Sequence, residues 1–191
     1  MVKPGKEFDF AEDEKELIRK AKQGNLYSFE ILVKRHQKNI YRLAFRMTKD
    51  HDSADDISQE TFVKAFISIN SFKEEYRFYP WISRICMNLS INHLKRKKFM
   101  ESESELSPKR IEEKEAVTDP MNQMIKDELM DRIDSSIDRL PPSFKAVLIL
   151  KVYEELSYEQ IAKTLNISVG TVMSRLFRAR ERLQKSLKDY L

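Results

Sequence analysis

The stretch SYEQIAKTLNISVGTVMSRLFRARERL, residues 157–183, decides how the chain folds. Ser157 precedes an apolar-periodic run and Gln160 stands three residues on. In that spacing the hydroxyl accepts from a backbone N–H of the first turn while the glutamine reaches back to the cap. A short helix follows, burying Ile161, Ala162 and Leu165. Asn166 ends it, because Asn tolerates left-handed backbone better than most residues. Ser168 then caps a second helix whose inner face is Val169, Val172 and Leu176. The small Ala162 leaves room for the second helix to cross closely over the first. Helix, three-residue turn and helix at an open angle make a helix-turn-helix unit.

The second helix carries Arg175, Arg178, Arg180 and Arg182 within eight residues. In such a unit its N-terminal half enters the major groove of DNA, which places Thr171, Ser174, Arg175 and Arg178 on the outer side. Arginine pairs bidentately with guanine, and Ser or Thr contacts bases or phosphates. Arg182, two turns or more from the entry point, is expected to touch at most phosphate or solvent. The competing reading is a charged, solvated helix of a bundle. Cap, small residue, turn and basic face occur together here, and that coincidence favours DNA.

Working outward, the pattern is helical almost throughout, and no alternation is long enough to propose a sheet. Leu17, Ile18 and Ala21 mark a short amphipathic segment before a break at QGN (23–25). Phe29, Leu32, Val33, His36, Ile40, Leu43, Ala44 and Met47 then recur at three- and four-residue spacing. HDSADD (51–56) offers Asp or Ser as an N-cap with acids in the first turn, where the helix dipole favours them. The apolar face of that helix reads Ala54, Ile57, Phe62, Ala65, Phe66 and Ile69. NSFKEEYRFYP (70–80) looks like a loop closed by Pro80. Trp81, Ile82, Ile85, Leu89 and Leu94 carry another helix, ending in KRKK (95–98). Residues 101–120 are polar, contain two prolines and have too little apolar content for a core. A second helical module follows: Leu129, Ile133, Ile137 and Leu140 form one stripe, stopped by Pro141-Pro142, and Phe144, Val147, Leu148, Leu150 and Val152 form the next. The expected fold class is therefore all-α, with two small helical domains, 1–98 and 121–191, joined by a flexible linker at 99–120.

Composition agrees with this reading. The chain has 191 residues, 35% charged and 41% hydrophobic, with only three glycines, which suits compact helical modules with charged surfaces. The net charge of +4 would not by itself argue for nucleic acid. Its distribution does. Residues 76–98 hold six basic residues and no acid, whereas 52–75 hold six acids against two bases. The single cysteine, Cys86, sits in an apolar helical context and reads as a small buried hydrophobe. The N-terminus lacks an apolar targeting segment, and no run approaches the ~18 apolar residues of a membrane span. The expected location is the cytoplasm.

Two further stretches extend the DNA-binding reading to a family. DSADDISQETFVKAF (52–66) resembles the polymerase-binding helix of bacterial sigma factors, with its acidic start and Gln-Glu-x-Phe centre. FYPWISRICMNLSINHLKRKK (78–98) resembles the adjoining promoter-melting and −10-recognition region, where Trp, Arg, Asn and a basic tail recur. Residues 140–183 resemble the region that reads the −35 element. Order and spacing are similar to the two-domain extracytoplasmic-function (ECF) group of the sigma-70 family, over nearly all the chain except the first dozen residues and the linker.

The resemblance implies a subunit of RNA polymerase that selects promoters and helps open them. It places Asp55, Asp56, Gln59 and Glu60 on the surface for the clamp helices of the polymerase β′ subunit. A helix-dipole role would also account for Asp52 and Asp55, but explains Gln59 and Glu60 poorly. The loop 70–80 matches the segment that takes up a flipped base of the −10 element. Tyr76, Phe78, Tyr79 and Trp81 offer stacking surfaces there, and Arg77 and Arg84 offer charge. Trp81 and Phe78 also read as core residues; for Trp81 that reading is favoured, since it starts an apolar stripe, whereas for Tyr76 and Arg77 the loop role is favoured. Asn88 and Asn92, four apart on one helix side, suit −10 contact, although an interior polar network would explain them too. Lys95, Arg96, Lys97 and Lys98 suit duplex phosphates. On the C-terminal helix the −35 assignment covers Thr171, Ser174, Arg175, Phe177 and Arg178. Met173 departs from the Lys or Arg of many relatives, which bears on a phosphate contact or on −35 preference. The linker is unusually acidic where relatives thread the RNA exit path. The implied partners are core RNA polymerase (β′ clamp helices and β flap), promoter DNA and an anti-sigma protein, with no membrane insertion.

Catalysis is the first rival. His36, His51 and His93 lack metal-ligand spacing, and there is no Gly-rich phosphate loop or nucleophile elbow, so no enzyme activity, metal or cofactor is expected. A repressor or activator is the second. Such proteins commonly bind duplex operators as symmetric dimers. An acidic docking helix and an aromatic, basic loop suited to unpaired DNA argue instead for a sigma factor.

Overall fold

Helix formation follows the apolar spacing and the caps closely. The computed structural model describes residues 13–103 and 130–188, and among these there is no strand. The helices are α1 (Glu14–Lys22), α2 (Leu26–Thr48), α3 (His51–Ser68), a 3-10 turn (Ile69–Ser71), α4 (Phe78–Glu103), α5 (130–138), α6 (Pro142–Val152), α7 (Tyr158–Leu165) and α8 (Val169–Ser186). The chain divides into two compact units, Met1–Ser90 and Ile91–Leu191.

In the first unit, the break between α1 and α2 is made by Gly24 at φ 88°, and Asn25 caps α2 by accepting from the Ser28 N–H. Asp50, one residue ahead of the HDSADD stretch, caps α3 through the Ser53 N–H at 2.7 Å. Leu17 and Ile18 of α1, Ile31, Leu32, Ile40 and Leu43 of α2, Ala54 and Ala65 of α3, and Ile82 and Met87 of α4 are all but inaccessible to solvent. Each such Leu or Ile contributes about 1.5–3 kcal/mol relative to exposure. Cys86 is buried, its thiol 3.7 Å from the Ile40 carbonyl. That is the structural role expected of it.

Helix α4 differs from expectation at both ends. It starts at Phe78, not after Pro80. A proline in the first helical turn lacks only an N–H that would have no intrahelical partner, so Pro80 fits inside the helix. At the other end α4 runs past the basic cluster to Glu103. Lys, Arg, Met and Glu dominate 95–103 and are good helix formers. Ile91, His93 and Leu94 are half-buried and residues 95–100 are exposed, so α4 leaves the core along this half. The remainder of the expected linker, and Leu129, lie outside the described residues.

In the second unit, Pro141 and Pro142 do more than stop α5: they cap and open α6, where a fixed φ suits the first turn. Lys145 is buried and donates to Asp138 at 2.7 Å, fastening α6 to the end of α5. Ile137, Leu140, Leu148 and Ala179 form a core cluster, with Ile133, Phe144 and Leu183 packed on it. Ser157 and Gln160 make the reciprocal capping box on α7, and Asn166 ends that helix at φ 54°. Ser168 accepts from the Thr171 N–H at 3.1 Å and starts α8. Ala162, Val172 and Leu176 are buried where α7 and α8 pack together.

Candidate protein and nucleic-acid interfaces

The apolar positions of α3 set which of its residues are left outside. Ala54, Ile57, Phe62 and Ala65 are buried, and the buried Thr61 hydroxyl donates back to the Ile57 carbonyl at 2.7 Å. Asp55, Asp56, Gln59 and Glu60 are consequently exposed together on the opposite side. Asp52 alone of the acids lies in the first turn, so the helix dipole, which fades within that turn, accounts for Asp52 and not for the exposed four. Glu60 reaches Lys64 at 2.9 Å, with both side chains half in solvent, a pairing worth little. The exposed side continues with Val63 and Ile67, which are 58% and 76% accessible. Sequence reasoning missed both. The signal was their position, seven residues after Asp56 and Glu60 and therefore on the same side of the helix.

The loop before α4 is anchored by aromatic rings. Phe72 and Phe78 are buried. Their rings meet edge-on at 5.8 Å, and Trp81 packs against them at 5.1 and 5.5 Å. Phe78 therefore offers no stacking surface, because it occupies the core position that starting the helix at 78 assigns to it. Tyr79 is half-buried and stacks on His36 at 5.9 Å. Tyr76, 58% accessible, and Arg77 project from the loop. His36 lies 2.7 Å from Glu14. That hydrogen bond, with the charge of His36 and Arg35 and the Phe78 backbone N–H, holds the Glu14 carboxyl below its ordinary range.

Further along α4, Arg84, Asn88, Asn92 and Lys95 are exposed at spacings of three and four, which aligns them in one row on the helix. Exposure removes the interior polar network as an account of Asn88 and Asn92. Arg96, Lys97 and Lys98 extend the row into a basic end, all exposed. Residues 76–98 contain no acid to offset them.

On α8, Ser174, Phe177 and Arg178 are exposed while Thr171 and Arg175 are half-buried. Thr171 is engaged with Ser168 at 2.8 Å and Ser174 donates to the Thr171 carbonyl at 3.0 Å. Phe177 and Met173 stand 69% and 53% accessible beside them. Arg182 is exposed, as expected, and its guanidinium also sits 5.6 Å from the centre of the Phe144 ring. That surface contact links α8 to α6. Among the described residues no group of His, Cys, Asp and Glu is placed to hold a metal ion, and no helix is long and apolar enough to cross a membrane.

The family profile Sigma-70 region 2 matches residues 32–99, and Sigma-70, region 4 matches residues 130–183. The chain is 33% identical over 186 residues to the RNA polymerase sigma-H factor of Pseudomonas aeruginosa, covering 94% of this chain and 96% of that one. It is 34% identical over 181 residues to the ECF RNA polymerase sigma factor SigW of Bacillus subtilis, covering 92% and 97%. Among solved structures, CnrH in complex with the cytosolic domain of CnrY shares the fold at a TM-score of 0.64, with 23% identity over 93% of this chain and 99% of that one. The chain belongs to the sigma-70 family of RNA polymerase sigma factors, within its extracytoplasmic-function group.

Proposed function

We propose that this sigma factor divides promoter selection among three surfaces. Like its family, the chain binds core RNA polymerase, recognises promoters and promotes transcription initiation. Asp55, Asp56, Gln59 and Glu60 on α3 dock on the β′ clamp helices, with Val63 and Ile67 continuing the contact. The loop of Tyr76 and Arg77, with Arg84, Asn88 and Asn92 on α4, handles the −10 element. Lys95, Arg96 and Lys97 hold adjacent phosphates. Thr171, Ser174, Arg175, Phe177 and Arg178 on α8 face the −35 element, and the second unit also meets the β flap. The division of labour follows the boundaries 1–98, 99–120 and 121–191. An anti-sigma protein is a further partner, the chain acts without catalysis of its own, and its place is the cytoplasm.

The observation that carries this reading is the order of the two family matches, together with exposed surfaces whose chemistry suits the tasks of each region. Acids and apolar side chains lie on α3, aromatics and amides around the start of α4, and arginines on the N-terminal half of α8. Footprinting with and without core RNA polymerase tests it. Specific protection of −35 and −10 sequences, with opening of the −10 region, is expected only in the presence of core enzyme. Tight, symmetric protection of duplex DNA by the chain alone would identify an operator-binding regulator instead.

A further inference from the structure

We propose that α1, which precedes the start of the region 2 match at residue 32, is the positioning element of the −10 loop and holds it at both ends through Glu14 and Lys22. The inference rests on the loop reading given above and concerns how that loop is kept in shape.

The exit of the loop is the start of α4. Its first-turn N–H groups need acceptors, and the residue before Phe78 is Arg77, whose side chain has none to give. Glu14 of α1 brings a carboxylate to this end of the loop, where it is held by His36. A carboxylate at a helix N-terminus is also favoured by the dipole. The same carboxylate meets His36 Nε2 at 2.7 Å, and the His36 ring lies 5.4 Å from Phe78 and 5.9 Å from Tyr79. At the entry, Lys22 Nζ lies 3.0 Å from Glu74 Oε1 and 6.0 Å from the centre of the Phe72 ring. Phe72 and Phe78 then touch each other.

Both ends of the segment 72–78 are thus tied to one short helix and to one another, and Tyr76 and Arg77 project from between the ties. A segment fixed before binding loses less freedom when a base is taken up. α1 is itself seated by the buried Leu17, Ile18 and Ala21. Glu14 and Lys22 can therefore be changed without removing the contacts that dock the helix.

The test uses the full chain assembled with core RNA polymerase, on a promoter selected by the wild-type holoenzyme from a randomised library. The −10 segment is pre-melted, and each unpaired non-template base is replaced in turn by an abasic site. The readout is the affinity ratio of intact to abasic template at each position. Tyr76→Ala and Arg77→Ala identify the position the loop serves. Glu14→Gln is expected to lower the ratio at that same position roughly tenfold, the scale of coupling between residues in one network. In a Tyr76→Ala background it should lower it no further. Lys22→Glu and Glu74→Lys should each lower the ratio, and combining the two should restore it. Equal losses on intact and abasic templates, no loss for Glu14→Gln, or no recovery in the charge-swapped pair would overturn the inference. An effect of Tyr76→Ala without one of Glu14→Gln overturns it alone. Wild-type ratios in both Tyr76→Ala and Arg77→Ala would remove the loop as the capture site, and the role of α1 with it.

Discussion

Arg178 and Arg182 lie just over one turn apart on α8, and their surroundings separate them. Arg178 is exposed with no ring beside it among the described residues, whereas Arg182 lies over the Phe144 ring. Loss of a bidentate base contact costs about 1–3 kcal/mol and relaxes preference at that base. Arg178→Ala should therefore weaken transcription from a cognate promoter and blunt discrimination among −35 variants. Arg182→Ala should instead lower stability by about 0.5–1 kcal/mol, the scale of an exposed cation–π pair, and leave discrimination intact. Transcription on a panel of −35 variants at fixed salt, with thermal unfolding of both proteins, separates the outcomes. Glu14 gives a second prediction at this scale. Its carboxyl is held low first by the His36 hydrogen bond and further by the charge of His36 and Arg35 and the Phe78 N–H. A depressed folded-state value means that the stabilisation is full above the ordinary carboxylate range and is lost as pH falls through the lower value. The stability advantage of the native chain over Glu14→Gln should be complete near neutrality and shrink in acid. An advantage independent of pH in unfolding curves would contradict the charged contact.

Among the elements, α3 and α8 show what their sequences made legible. Caps are local, so Ser157 with Gln160, Asn166 and Ser168 could be read from spacing alone. The same holds for the buried stripes, because a 3.6-residue period projects directly onto one side of a helix. What escaped were contacts across elements. Glu14 with His36, Lys145 with Asp138 and Arg182 with Phe144 join residues whose separation in the chain carries no periodic signal. The start of α4 was misplaced for a related reason: Pro80 signals a boundary, yet the first turn accepts it, and the ring packing of Phe78 decides the matter. The outward side of α3 is the element-scale prediction. Glu60→Lys changes an exposed position whose partner Lys64 is also exposed, so helical content and thermal stability should hold within about 0.5 kcal/mol, the usual range for surface changes. Affinity for core RNA polymerase should fall nonetheless. Replacing Ile67 by Ser removes an exposed apolar side chain, so it should weaken the same binding without destabilising the fold. A drop in stability matching the drop in affinity would make α3 a structural helix only.

At the scale of the whole molecule, each unit owns a separate set of buried side chains. Leu17, Leu32, Leu43 and Met87 belong to the first, and Ile137, Leu148, Leu176 and Ala179 to the second. A unit that buries its own apolar residues can fold alone. Fragments 1–98 and 121–191 should each show a cooperative thermal transition. The first should also keep its affinity for core RNA polymerase, since the exposed acids of α3 travel with it. The second should retain the exposed arginines of α8 but little affinity for an isolated −35 duplex. A small helical module making few phosphate contacts has little electrostatic affinity at physiological salt, and what it has falls steeply as salt rises. Joining the units should raise promoter affinity far beyond either fragment, because binding at one element raises the effective concentration of the unit that reads the other. The decisive measurement is transcription from a −35/−10 promoter by core enzyme with the intact chain or with both fragments mixed. High activity with the intact chain and near-background activity with the mixture is the expected result. Equal activity in the two reactions would mean that the units assemble on polymerase independently of their covalent connection, and that 99–120 does not act as a tether.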